Sequence, residues 1–411
     1  MEALATRCCI AGGGPAGMML GFLLARAGID VTVLEKHADF LRDFRGDTIH
    51  PSTLEVMAEL GLLDQFLKIP HTEAHTLGGA FGDAQFTFVD FSHLPTRCKF
   101  IALMPQWDFL NFLADHGRRY PNFHLRMQAE AVDLIEEGER IIGVRADTAD
   151  GPLEVRADLV IGCDGRHSTL RQRAGMQVED LGAPMDVLWF RLPRRPSDSD
   201  QSMGRFEAGR IFVLIDRGDY WQCAYVIAKG TIDDLRRKGL EAFRGNLAAS
   251  VPVFADRVAE LTDWDQIKLL TVAVDRMPRW HRPGLLCIGD AAHAMSPIGG
   301  VGVNLAVQDA VAAANLLWEP LTRGRPSDGD LARVQQRREF PAKVTQTIQV
   351  FLQNRVISRA LSASGKLKTP LAVRLLARWP LLRRLPARIL GLGVRPEHVR
   401  TPERSVTQSA A

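Results

Sequence analysis

The run Gly12-Gly13-Gly14-Pro15-Ala16-Gly17 constrains this chain more than any other feature, because of what flanks it. Thr6 to Ala11 is a short apolar run suited to a buried strand. Met18 to Gly28 reads as an apolar helix ending at a glycine cap. A second apolar strand, Val31 to Leu34, runs into Glu35 and Lys36, with Glu35 eighteen residues after Gly17. Each glycine of the motif has its own task. Gly12 permits a tight turn, Gly14 lets the backbone approach a pyrophosphate, and Gly17 lets helix and strand pack closely. The helix start offers free N–H groups to phosphates, and Glu35 can accept from a ribose. Strand, turn, helix and acid together predict a dinucleotide; a Gly-rich turn that binds nothing is the alternative.

Two later segments bear on which dinucleotide it is. Residues 157–171 run from an apolar strand (Ala157 to Gly162) through the turn Cys163-Asp164-Gly165 into a helix. Leu285-Leu286-Cys287-Ile288 is another buried strand, followed by Gly289-Asp290-Ala291-Ala292-His293. The loop Met295-Ser296-Pro297-Ile298-Gly299-Gly300-Val301-Gly302-Val303-Asn304 then opens a helix from Leu305 to Trp318. In this order and separation the motifs resemble those of the group A flavoprotein monooxygenases, the para-hydroxybenzoate hydroxylase family. The resemblance covers about residues 5 to 330.

That resemblance implies FAD as cofactor and a set of contacts. Asp290 would bond the ribityl chain, and Pro297 would lie against the isoalloxazine ring. The backbone from Gly300 through Gly302 and Val303 to Asn304 would face its pyrimidine end, where a helix start favours negative charge. Asp164 would sit near both FAD and the reductant. Arg45 matches an arginine that reaches the cofactor, Gln106 a polar residue beside the ribityl and phosphate groups, and Val132 a backbone contact to adenine. Arg45 could instead be a solvated loop charge, and Gln106 a polar residue at a helix start. No catalytic side chain is assigned; Pro297, His293 and His50 are flavin-proximal candidates.

The resemblance also implies a reaction. NADH or NADPH, docking transiently, reduces the flavin; O₂ then gives a C4a-hydroperoxide that hydroxylates an aromatic or other lipophilic molecule. There is no second GxGxxG, which agrees with a reductant that is not stably held. Two other activities stay open. A reductase or dehydrogenase of a lipophilic substrate, like geranylgeranyl reductase, could share the fold. A flavin-dependent halogenase needs Trp-x-Trp-x-Ile-Pro, whereas this chain has Trp221-Gln222-Cys223-Ala224-Tyr225-Val226.

The expected fold class is α/β: a discontinuous Rossmann-like, GR2-type FAD domain with an inserted antiparallel β-sheet domain and a C-terminal helical segment. The FAD domain takes residues 1–75, 98–178 and 271–330, the substrate domain 76–97 and 179–270, and the C-terminal segment 331–411. Arg217-Gly218-Asp219 predicts a hairpin between Arg210–Ile215 and Tyr220–Ile227. Alternation puts Trp221, Cys223 and Tyr225 on one strand face and Gln222, Ala224 and Val226 on the other. The first three are the substrate candidates, although the same face could pack as core on a helix from Ile232 to Phe243.

Composition agrees with a globular enzyme of 411 residues, 46% hydrophobic and 24% charged. With a strand starting at residue 6, no signal peptide is expected, and the six cysteines without CxxC or metal spacing suit a reducing cytoplasm. No metal and no nucleic acid are expected, and the chain is read as a monomer or homodimer. Between Phe340 and Pro396 there are eleven Lys or Arg and no Asp or Glu. Leu371 to Leu392 mixes leucines and Trp379 with five arginines, and Pro380 and Pro386 should break it into short helices. Such a basic amphipathic segment could make weak peripheral membrane contact, or simply pack one face on the domain.

Overall fold

A computed structural model describes residues 2–41, 48–81, 84–198, 203–363 and 369–404. The central eight-stranded sheet has the path His281–Arg282, Leu285–Cys287, Gly151–Gly162, Glu2–Ala11, Val31–Glu35, Phe123–Met127. The four junctions from Leu285–Cys287 to Phe123–Met127 are parallel. That explains why these strands read as continuous apolar runs and not as alternating ones, since both sheet faces are covered. The helix Pro15–Arg26 is buried along nearly its whole length between this sheet and the helix Gly302–Arg323. It lies so close that a Cβ on Gly21 would stand 2.8 Å from the Val33 side chain. Its end is capped by Gly28 at φ +83°, as the apolar pattern predicts.

The second sheet has seven strands, in the order Lys268–Leu270, Met185–Pro193, Tyr220–Ala228, Arg210–Asp216, Met203–Glu207, Thr76–Phe81, Ala84–Asp90. Its hairpin turns at Gly218, with φ +84°. The sheet is antiparallel except at one seam, where Met203–Glu207 runs parallel to Thr76–Phe81. These two strands lie far apart in sequence, so no hairpin dictates their direction.

The strand Tyr220–Ala228 is buried on both faces, and the two faces have different neighbours. Trp221, Cys223 and Tyr225 pack with Phe190, Phe212, Phe243 and Phe254, with Tyr225 and Phe243 edge to face at 5.6 Å. The helix Leu240–Ser250 closes over them, and Trp221 Nε1 donates to Asp198 at 2.9 Å. The substrate reading of these three residues is therefore corrected: large aromatic side chains between a sheet and a helix are core.

The helix Asp328–Leu352 begins with a reciprocal cap between Ser327 and Asp330. Further on, the chain breaks at Trp379 and Pro380, as expected, but Pro386 does not break it. Pro386 sits in the first turn of Arg384–Gly391, where its missing N–H has no intrahelical partner to lose. One helical stretch among the described residues, Ile298–Arg323, is long and apolar enough to cross a membrane, but 78% of its apolar window is buried in the fold.

Candidate active site

Neighbouring parallel strands of the central sheet end at one edge, and each delivers a residue that the sequence singles out. Glu2–Ala11 leads into Gly12, Val31–Glu35 ends in Glu35, Gly151–Gly162 leads to Asp164, and Leu285–Cys287 leads to Asp290. Ligands of such sheets sit outside the carboxyl ends of the strands.

The glycines at this edge are used unequally. Gly12 has φ +106°, and a Cβ there would stand 2.3 Å from the Cys163 carbonyl oxygen. On Gly17 a Cβ would stand 2.0 Å from the oxygen of Gly12, so that glycine is needed for the turn itself. Gly14 is different: a Cβ would meet nothing within 4 Å. It opens onto the start of Pro15–Arg26, which has no side-chain cap and begins with a proline that lacks an N–H. That open, uncapped helix start is suited to an anion. Beside it, Glu35 accepts from the Gly13 N–H at 2.9 Å and the His37 N–H at 3.1 Å.

The two acids on the next strands have opposite surroundings. Asp164 Oδ2 accepts from the Leu170 N–H at 3.0 Å, whereas Oδ1 is buried with no hydrogen-bond partner among the described residues. Burial raises its carboxyl above the ordinary value, against the hydrogen bonds from Ser168 and the nearby amides. Asp290 sits on the turn Gly289–Ala291, is half-buried, and has Arg166 as its nearest cation at 3.7 Å. A buried carboxylate oxygen can accept a hydrogen bond from a ligand hydroxyl.

Pro297 opens the next loop, in which Gly299 and Gly300 have φ +79° and +63°. The helix Gly302–Arg323 starts there without a side-chain cap. The loop is held from behind: Thr48 Oγ1 donates to the Gly300 carbonyl at 2.8 Å, and His50 Nε2 lies 3.1 Å from the same oxygen. His50 Nδ1 lies 2.8 Å from the Leu390 carbonyl. His50 is wholly buried, and burial lowers its pKa although the two carbonyls favour the charged form. Asn304 accepts from Ser52 at 2.6 Å and Thr53 at 2.8 Å, tying the helix Pro51–Glu59 to the same point. Gly14, Asp164, Asp290 and the two uncapped helix starts fit the phosphates, hydroxyls and electron-rich ring of a flavin dinucleotide.

Other candidates fall in various places. His293 is corrected: its Nε2 donates to Asp309 at 2.6 Å, its ring lies 4.9 Å from Trp280, and it is 1% exposed. It supports the loop from inside the core and has no face open to a ligand. Gln106 is half-buried at the start of Gln106–Gly117. Lys36 is exposed, 3.9 Å from Glu130. Val132 is the extra residue of a bulge between Ala131 and Asp133, and its carbonyl accepts from Arg173 Nε at 3.1 Å. Arg45 lies outside the described residues.

The residues missed by sequence reasoning are on the other face of the second sheet. Register places Trp189 and Val213 beside Ala224, and Arg191 and Ile215 beside Gln222. Trp189, Val213 and Ala224 belong to the same apolar cluster as Ile298 of the loop. The signal was available in Val187 to Leu192, whose alternation sets Leu188, Phe190 and Leu192 against Val187 and Trp189.

The FAD binding domain family matches residues 5–348. The chain is 32% identical over 388 residues to 6-methylpretetramide 4-monooxygenase of Streptomyces rimosus, covering 93% of this chain and 92% of that protein. It is 30% identical to a rifampicin monooxygenase of Streptomyces venezuelae over 75% of its length, but spans only 63% of that protein. Among solved structures, PqsL of P. aeruginosa in complex with 2-aminobenzoylacetate superposes with a TM-score of 0.74 at 22% identity, covering 87% and 98% of the two chains. OxyS anhydrotetracycline hydroxylase of Streptomyces rimosus gives 0.74 at 23% identity, covering 95% and 77%.

Proposed function

Because the chain belongs to the FAD binding domain family and is an FAD-dependent monooxygenase of the group A aromatic hydroxylase type, we propose that its substrate is a planar aromatic molecule in the class of 6-methylpretetramide or anhydrotetracycline. The observation that carries the cofactor side is the convergence of Gly14, Asp164 and Asp290 on one edge of the parallel sheet. Bound FAD supplies the transfer of electrons from NADH or NADPH and of one oxygen atom from O₂ to the substrate.

The protein's own residues bind, orient and exclude water. The pyrophosphate would sit on the start of Pro15–Arg26 over Gly14, with Pro15, Ala16 and Gly17 at its side and Glu35 on the ribose. Asp164 and Asp290 would take hydroxyls of the ribityl chain, and the bulge at Val132 would meet the adenine. Pro297 and the backbone of Gly300, Gly302, Val303 and Asn304 would stand at the flavin ring, where the uncapped helix start stabilises negative charge. His50, held between two carbonyls, fixes that loop and is a positioning residue. The substrate would lie between this loop and the sheet above, against Trp189, Val213 and Ile215, whose apolar side chains would help exclude water. The six free cysteines agree with a reducing cytoplasm.

The test is oxygen uptake and NAD(P)H oxidation by the flavin-loaded enzyme with a panel of phenols and fused-ring aromatics. The reading expects a compound that speeds flavin reduction and leaves the assay one oxygen atom heavier by mass spectrometry. Reduction of a substrate double bond without oxygen uptake would replace it with the reductase activity.

A further inference from the structure

We propose that the outward face of residues 371–388 docks on an anionic membrane surface. On the helix Leu371–Arg378, Leu371 and Leu375 form one exposed i, i+4 row and Arg374 and Arg378 the adjacent one. Val373, Leu376 and Ala377 are half-buried on the opposite side, where the helix packs on the strand Ala84–Asp90. The pattern continues through the turn, with Trp379, Leu381 and Leu385 exposed by 59%, 69% and 67%. On Arg384–Gly391, Arg384, Leu385 and Arg388 face outward while Ala387 and Gly391 are buried. Arg383 is used internally, donating to the Leu376 and Ala377 carbonyls that end the preceding helix. Among the described residues Arg374, Arg378 and Arg388 make no ion pair, and no carboxylate occurs between Phe340 and Pro396.

Exposed leucines and a tryptophan among unpaired cations are the composition of an interfacial helix. A second copy of the chain is a poorer occupant, because a two-fold contact would set these arginines against themselves. The face also adjoins the site. Leu390 gives its carbonyl to His50, and its side chain stands where a Cβ on Gly299 would be, at 2.7 Å. Docking would therefore bring a bilayer-dissolved substrate to the loop, a consequence that rests on the planar aromatic substrate class already proposed.

The test is co-sedimentation of the flavin-loaded protein with vesicles of phosphatidylcholine alone and of equimolar phosphatidylcholine and phosphatidylglycerol, which needs no turnover. Binding to the anionic vesicles, weakened by salt and absent on phosphatidylcholine, is expected. Arg374→Gln, Arg378→Gln and Arg388→Gln together should lower partitioning roughly a hundredfold, each charge being worth roughly fivefold. Leu375→Ser, Leu381→Ser and Leu385→Ser together should abolish it at unchanged flavin content and melting temperature. If the serine variant misfolds, the arginine variant, whose side chains are solvated, carries the test alone. Wild-type protein that stays in the supernatant overturns the proposal, and so does an arginine variant that pellets like wild type. A dimer that the serine variant dissolves, without vesicle binding, would assign the face to a second copy instead.

Discussion

His293 and Asp309 share a 2.6 Å hydrogen bond inside the core, and the same carboxylate oxygen accepts the Gly289 N–H at 3.1 Å. The other oxygen of Asp309 accepts from Arg338 Nε at 2.9 Å. All three side chains are at most 2% exposed. The turn that carries Asp290 is thus held from behind by a buried polar cluster. Burial alone would raise the Asp309 carboxyl, but His293 and then Arg338 hold it below its ordinary value.

Asp309→Ala should therefore act on stability and flavin together. It takes from Arg338 its 2.9 Å carboxylate partner and leaves the buried Glu397, 3.6 Å away, and breaking a buried pair costs about 3–5 kcal/mol. Flavin should be lost in parallel, because Gly289 loses its tether. The pH dependence has a definite sign. With a depressed folded pKa, Asp309 contributes stability above its unfolded value near 4 and loses it as pH falls through the folded one. Melting curves of wild type and variant should converge in acid; curves that stay parallel would count against this account.

His50 gives a second pH window. Its folded pKa lies below the ordinary value, so the unfolded chain binds the proton more readily. Stability linked to His50 is complete above pH ~6.5 and declines below it until the folded pKa is passed. His50→Gln, which keeps a donor toward the Gly300 carbonyl, should flatten the fall of melting temperature between neutral and mildly acidic pH. An unchanged slope would show that another group governs that range.

At the phosphate cradle, two glycines should fail in different ways. At Gly14 a Cβ would meet no protein atom within 4 Å, so Gly14→Val should give a folded but colourless protein, because the side chain fills the space where a pyrophosphate would lie. Gly17→Ala drives a methyl group against the Gly12 carbonyl and should lower the melting temperature even of apoprotein. A fully flavinated Gly14→Val variant would disprove the cradle.

Asp290→Ala removes a charged acceptor from a site that is already partly solvated. Hydrogen bonds to charged groups contribute about 1.5–3 kcal/mol, so FAD affinity should drop roughly ten- to a hundred-fold. The fold should be kept, because Arg166, the cation paired with Asp290 among the described residues, is 3.7 Å away. Titration of the apoprotein with FAD measures this directly.

The second sheet can be tested face by face. Trp221→Ala and Tyr225→Ala empty the packed side and should cost about 3–5 kcal/mol each, with flavin lost as the protein loosens. Trp189→Ala, on the face that shares its cluster with Ile298, should keep stoichiometric flavin and raise KM for the substrate. Equal destabilisation by all three would place Trp189 in the core as well.

The parallel sheet and its dinucleotide edge were legible in the sequence because their causes are local. A buried parallel strand must be apolar throughout, the turn after it must be glycine where a Cβ would strike backbone, and Gly12 and Gly17 meet that condition. The acids Glu35, Asp164 and Asp290 stand directly after those strands, so their place follows from the strand itself. Which face of Tyr220–Ala228 is core was not local. A period of two says that Trp221 and Gln222 point apart, but only the helix Leu240–Ser250, closing on one side, decides which of them packs in the aromatic cluster. His293 is the same lesson in one residue: its partner Asp309 is two helical turns into Gly302–Arg323, and Arg338 reaches it from another helix. Long-range packing settles such contacts, because the cost of burying a charge depends on partners that no neighbouring residue reveals.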